Sequence, residues 1–194
     1  RASLARRRSS LEISSIVGSF DTRFRIECFA DASAHASELF RECFGVAFPT
    51  PAEHAGLPIP TPPANWRQYV AFYDWPETRR EAVGFCNWIR HGRAYIGGGM
   101  CVSPTFYRRL PREHWQACRD RGGVAQLLLE AAFAGLTDAD AWFGYCGDRK
   151  AYVVDTRAGM VPTRHPHVLV KWRPDVPDAD KAAIEDAVAA IGPF

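Results

Sequence analysis

The sequence predicts an α+β fold, and three observations carry the prediction. Three neighbouring stretches, Arg67–Trp75, Ala82–Arg90 and Ala94–Val102, have the apolar and aromatic content of strands. Tight connections at Pro76–Glu81 and His91-Gly92-Arg93 join them into an antiparallel meander. Stretches of helical periodicity are interleaved with the strands, and no internal repeat appears. Before the meander, Arg23–Phe29 alternates Phe24, Ile26 and Cys28 with Arg25 and Glu27, which reads as a first strand. Asp31 or Ser33 caps a helix in which Ala36, Leu39, Phe40, Cys43 and Phe44 recur at helical spacing. Residues 49–64 hold six prolines, so neither a regular helix nor a central strand fits, and a substrate-side loop is expected.

After the meander come a polar, aromatic insertion at 104–120, a glycine turn opening a helix over 122–136, and a strand at Ala141–Cys146. A short helix from Asp148 to Ala158 is next, then strand material over Val161–Trp172 broken near Pro166. The closing helix is capped by Asp178, turns Ile184, Ala187, Val188 and Ile191 to one face, and stops at Gly192-Pro193. Gly97-Gly98-Gly99 weakens the third meander strand and signals a bulge or the close approach of a ligand.

Composition bounds the function. The 194 residues are 47% hydrophobic and 24% charged, ordinary for a soluble globular chain, and suit one domain over 21–194 that includes the C-terminal helix 178–191. Residues 1–20 form a basic arm, with Arg1, Arg6, Arg7 and Arg8 ahead of the first acid, Glu12; a targeting or RNA-contacting use of the arm is the minor alternative to fraying. A net charge of +2 gives no reason to propose nucleic acid as the main partner. No run of about 18 apolar residues predicts a membrane span. Six scattered cysteines without a C-x-x-C pair argue against zinc or dithiol redox chemistry, so no metal is expected, and they read as reduced thiols of a cytoplasmic protein.

The most informative stretch is Arg121-Gly122-Gly123-Val124-Ala125, running into Gln126-Leu127-Leu128-Leu129. A helix N-terminus with adjacent glycines offers unobstructed N–H groups to phosphate oxygens, and Arg121 adds charge. On its own, a glycine pair before a helix is more often turn chemistry than a phosphate site.

Taken in order, these elements resemble the GNAT N-acetyltransferase superfamily over residues 22–173. Three local matches support the resemblance: Met100-Cys101-Val102-Ser103-Pro104 at the end of the fourth strand, Gly123-Val124-Ala125 as the second half of a pyrophosphate loop, and Asp148-x-x-Ala151-x-x-x-Asp155-x-x-x-Gly159-Met160 as the following helix and turn. Departures accompany them. Asp120 stands where that loop begins with Gln or Arg, Asp148 replaces an Asn, and Asp155 fills the slot of the tyrosine that protonates the departing thiolate in many members.

The resemblance implies a mixed, mostly antiparallel sheet of six to seven strands, flanked by helices and splayed between strands 4 and 5. Acetyl-CoA, or another acyl-CoA, would lie in the splay as co-substrate. Its pantetheine arm would pair with exposed strand backbone, and amides near Met100, Cys101 and Val102 would polarise the thioester. Its diphosphate would rest on the N–H groups of Gly122, Gly123, Val124 and Ala125 beside Arg121. The acceptor would be an amine of a small molecule or protein. Tyr152 or Tyr145 is the candidate proton donor, with Cys146 at the end of the fifth strand where the sulfur passes; aromatic packing is the competing role for both tyrosines. Asp155 would act as an acid only if burial raised its pKa, and a solvated helix-face carboxylate is the expectation. The basic, aromatic insertion is either a cofactor clamp or a surface excursion. A non-catalytic acyl-CoA-binding or protein-interaction module remains the alternative from another class. The acceptor's identity and the oligomeric state, a homodimer included, stay open.

Overall fold

A computed structural model describes residues 19–49, 65–76 and 80–193. The basic arm up to Gly18, most of the proline-rich loop (50–64) and the turn positions 77–79 lie outside the described residues.

The elements are α1 (Phe20–Arg23), β1 (Phe24–Phe29), α2 (Ser33–Phe44), β2 (Trp66–Asp74), β3 (Arg80–His91), β4 (Ala94–Val102), α3 (Phe106–Arg109), α4 (Arg112–Asp120), α5 (Val124–Gly135), β5 (Ala141–Tyr145), α6 (Arg149–Arg157), β6 (Val161–Pro162), β7 (Val168–Trp172) and α7 (Asp178–Ala189). One sheet of seven strands runs in the order β1-β2-β3-β4-β5-β7-β6. Every neighbouring pair is antiparallel except β4–β5, which is parallel. The meander and the mixed, mostly antiparallel sheet expected from the sequence are both present.

The sheet carries apolar layers on both faces. One layer packs α5, α3 and α4 against Tyr69, Ala71, Tyr73, Cys86 and Trp88. The other packs α2 and α7 against Val70, Phe72, Phe85, Ile89 and Ile96. Such alternation along β2 and β3 is what two covered faces require.

The insertion is more ordered than an excursion. Phe106 and Cys118 are fully buried, and His114 is bonded through Nδ1 to the Tyr73 hydroxyl at 2.5 Å. Its aromatic residues therefore complete the core. Two caps also differ from expectation. The first turn of α2 is preceded by Ala32, whose N–H donates to Gln68 Oε1, while Asp31 accepts from Ser33. Asp178 lies inside the first turn of α7 behind Pro177, where its charge still complements the helix dipole.

Helix α5 lies close against the sheet. Val124, Leu128 and Ala132 are fully buried, each leucine-sized side chain contributing about 1.5–3 kcal/mol as an upper estimate. The helix comes close because β3 offers Gly84: a Cβ there would stand 2.6 Å from Val124 Cγ1 and 3.1 Å from Leu128 Cδ1. Gly84→Val is therefore expected to overpack this contact and cost about 1–3 kcal/mol. Thermal unfolding of the variant checks it: a drop of several degrees is expected, and an unchanged midpoint would contradict the close approach.

Candidate functional site

The parallel pair is short. Only Ala94–Ala141, Tyr95–Trp142 and Ile96–Phe143 are in register. Beyond Ile96 the two strands part: β5 ends at Tyr145, and β4 runs on through Gly97–Val102 with β3 alone beside it. The result is a V whose apex is the Ile96–Phe143 pair. A cleft of about 220 Å³ fills it, lined by Gly97, Gly99 and Met100 of β4, Gly144 and Tyr145 of β5, Asn87 of β3, Leu129 of α5 and Asp155 of α6 among others.

The glycine run gives the V its shape. Cys86 pairs with Met100 and Trp88 with Gly97, so β4 carries one extra residue opposite Asn87, a bulge. Gly99 at the bulge has φ +117°, a conformation that side chains rarely adopt, and a Cβ there would lie 3.3 Å from Phe40 Cζ of α2.

Asp155 is the carboxylate among the residues that line the cleft. The helix α6 starts where Asp148 accepts the N–H groups of Lys150 and Ala151, which holds the Asp148 carboxyl below its ordinary range. Two turns on, Asp155 faces inward and is 7% exposed. A Cβ on Gly144 would come within 3.9 Å of its Oδ2. Burial pushes its pKa up to about 6, with the neighbouring Cys146 thiol pulling weakly the other way. The expected solvated carboxylate is thus replaced by a buried one at the base of the cleft.

At the glycine turn, Gly122 and Gly123 both have positive φ (+84° and +88°). Their N–H groups are already donated, to Arg119 and Cys118 carbonyls at 2.9 Å each, closing the end of α4. The Val124 N–H donates to the Tyr107 hydroxyl at 2.9 Å, and the Leu127 N–H to the Gly123 carbonyl. Among the described residues this leaves Ala125 and Gln126 with unpartnered N–H groups at the start of α5, a cradle about one residue later than expected. Arg121 pairs with Asp21. Arg157 of α6, by contrast, brings Nη1 within 3.5 Å of where a Gly122 Cβ would stand and forms no ion pair among the described residues. Its place at the end of α6, six residues after Ala151, gave no sequence signal of proximity to a loop 35 residues earlier.

The remaining candidates do not gather at one site. Tyr145 and Met100 line the cleft. Cys101 is turned into the α2-side layer, and the Val102 carbonyl accepts from Cys43 Sγ at 3.3 Å. Tyr152 is 42% exposed and lies with Cys146, His165 and His167 around a separate hollow of about 310 Å³ beside the β6–β7 hairpin. Tyr152 and Asp155 stand only about 60° apart around α6, yet they line different hollows, Asp155 the cleft and Tyr152 the one beside the hairpin. His165 bonds Asp186 of α7, and among the described residues no group of three or more His, Cys, Asp or Glu side chains is placed to hold a metal ion. All six cysteines are free. No helix among the described residues is long and apolar enough to cross a membrane.

No family model and no curated protein matches the chain. Solved structures similar to it include YhhK from E. coli bound to coenzyme A, at 15% identity and TM-score 0.48 over 78% of this chain and 99% of that one. A protein of the GNAT family from Desulfovibrio desulfuricans is 13% identical, with TM-score 0.47 over 77% and 98% of the two chains. AtaTR bound with acetyl-CoA is 16% identical, with TM-score 0.40 over 78% and 94%. At such identities and scores the likeness adds nothing to the strand order and the V between β4 and β5.

The buried carboxyl sets a pH dependence of stability. Because the folded pKa of Asp155 lies above the unfolded value, its stabilising contribution is complete at pH below about 4 and is lost as pH rises through about 6. The loss amounts to about 3 kcal/mol. Asp155→Asn, which cannot ionise, should therefore gain melting temperature relative to the native chain between pH 4 and 7. A difference in melting temperature that stays constant over this range would contradict the burial of the carboxyl.

Proposed function

We propose that the chain is an acyl-CoA-dependent N-acyltransferase that moves an acyl group, acetyl by preference, from the CoA thioester to an amine of a small molecule or protein by direct transfer. The observation that carries this reading is a parallel strand pair that opens after three residues onto a cleft with a buried carboxyl at its base.

The residues fit an acyl-CoA. The unpaired edge of Gly97–Val102 offers main-chain partners to the amide groups of a pantetheine arm, as a receiving sheet edge does for an added strand. Ala125 and Gln126 N–H groups with the Arg157 guanidinium provide a seat for a diphosphate at the open end of the V. Gly122 and Gly123 leave that approach free of Cβ atoms.

The chemical step uses Asp155 in the slot where the resembling family carries a tyrosine. An amine nitrogen attacks the thioester carbon, and the carbon–sulfur bond then breaks. With a pKa near 6, Asp155 is ionised at neutral pH and takes the proton that the attacking nitrogen must lose. It then returns that proton to the departing sulfur, whose thiol pKa of about 8.5 makes the second transfer downhill. One carboxyl serves both transfers, so no separate base is required. Tyr145, which also lines the cleft, would border the same sulfur; Tyr152 and Cys146 line the neighbouring hollow.

One observation favours a second reading, a non-catalytic acyl-CoA-binding module: three of the amides expected to hold a diphosphate are already bonded within the protein. Thiol release from acetyl-CoA with a panel of amines separates the two. Acyl transfer is expected to rise with pH through about 6, and Asp155→Asn to lower the rate about 10²–10⁴-fold while erasing that inflection. Tight CoA binding with no thiol release from any amine would favour the module. Arg157→Ala should weaken CoA about tenfold by calorimetric titration, an effect that shrinks as salt is raised. Unchanged affinity would remove Arg157 from the diphosphate seat.

A further inference from the structure

In the same cleft, Asn87 is a second polar group with an unfilled role. It is 1% exposed, lines the cleft opposite the β4 bulge, and has no hydrogen-bond partner for either Oδ1 or Nδ2. Leaving a buried donor or acceptor unmet costs about 1–3 kcal/mol per group, so an Asn held this way in an otherwise apolar layer points to a partner that arrives from outside the chain.

The polarity of that partner follows from the neighbours. Gln68 of β2 stands directly across from Asn87 in the β2–β3 register. Its Oε1 is engaged by the Ala32 N–H, which fixes the amide so that Nε2, also unpartnered, is the group it has left to offer. Directly opposed strand residues have Cβ atoms about 4.5–5.5 Å apart, so Gln68 Nε2 is the natural donor to Asn87 Oδ1 after a small side-chain rotation. What is then left over is Asn87 Nδ2, a donor. It points at β4 where the chain has no side chain: a Cβ on Gly98 would stand 2.8 Å from it. The missing partner is an acceptor atom at the apex of the V.

We infer that Asn87 Nδ2 donates to the carbonyl oxygen of the acyl thioester, positioning it and stabilising the negative charge that builds on that oxygen as the amine attacks. This inference rests on the acyltransferase reading. It adds to β4 backbone a side-chain donor supplied from β3, on the far side of the acyl group from Asp155. Proton transfer and oxyanion stabilisation would then come from two different walls of one cleft. A neutral donor fixed in place before the reaction serves such a charge better than water does, because it does not reorganise.

The test compares CoA with acetyl-CoA on the native chain and on Asn87→Leu and Asn87→Ala, without an amine present. Asn87→Leu keeps the side-chain size and at most leaves Gln68 Nε2 unmet, a cost of about 1–3 kcal/mol, so it should fold; Asn87→Ala covers the case in which leucine does not fit. The native chain is expected to prefer acetyl-CoA over CoA, and both variants to lose about 3–10-fold of that preference while binding CoA itself unchanged. With acetyl-CoA labelled with ¹³C at the carbonyl, the bound C=O stretch should move to higher wavenumber in the variants, a signature that a merely structural Asn87 would not produce. An unchanged preference and an unchanged stretch in the variants would overturn the role of Asn87. Failure of the native chain to bind CoA at all would overturn the acyltransferase reading and this inference together.

Discussion

The pairing of β4 with β5 for three residues and no more is the constraint on which the rest of the molecule depends. A parallel pair in the middle of a seven-stranded sheet would ordinarily continue, because interior strand backbone that leaves its N–H and C=O groups unmet carries a cost at each residue. Here β5 stops at Tyr145 and the chain turns into α6, while β4 goes on for six residues beyond the last pair. Glycines and a bulge on β4 keep side chains out of the opening. The sheet thus gives up some of its own stability to hold a slot open between two strands.

The two flanking helices are placed by that slot. Gly84 lets α5 settle so close to β3 that its N-terminus lies at the open end of the V, and the crossover from β5 brings α6 across the other wall. Within α6 a single helix treats two aspartates in opposite ways. Asp148 sits at the cap and accepts two main-chain N–H groups, which favours its charge. Asp155, seven residues later, meets no such donors and is buried against Gly144 and Cys146, which disfavours it. Identical side chains thus have their pKa values pushed in opposite directions by environment alone.

Much of this was legible in the sequence because it depends on local patterns. Alternation in the meander, the glycine run of β4, the leucines of α5 and the Asp148-to-Gly159 spacing gave the order of elements along the chain, and the splay was what the resemblance carried by those elements implied. What the sequence hid depends on partners distant along the chain. Nothing local to Gly122-Gly123 reveals that their amides close the preceding helix, or that Tyr107, seventeen residues before Val124, takes the next one. The burial of Asp155 depends on how α6 rests on β5, and a slip of three residues along that helix separates the cleft from the hollow that holds Tyr152. Asn87 is one polar residue in an apolar strand, and only its register against Gln68 and the β4 bulge makes it informative.

If the V receives a pantetheine arm, the main-chain groups along it must exchange water for ligand. Amide hydrogen–deuterium exchange with and without saturating CoA reads this directly. Slowed exchange confined to residues 97–102, 144–146 and the first turn of α5 is the predicted result. Slowing elsewhere with those segments unaffected, or no change at millimolar CoA, would contradict the claim that the parted strands are the binding site.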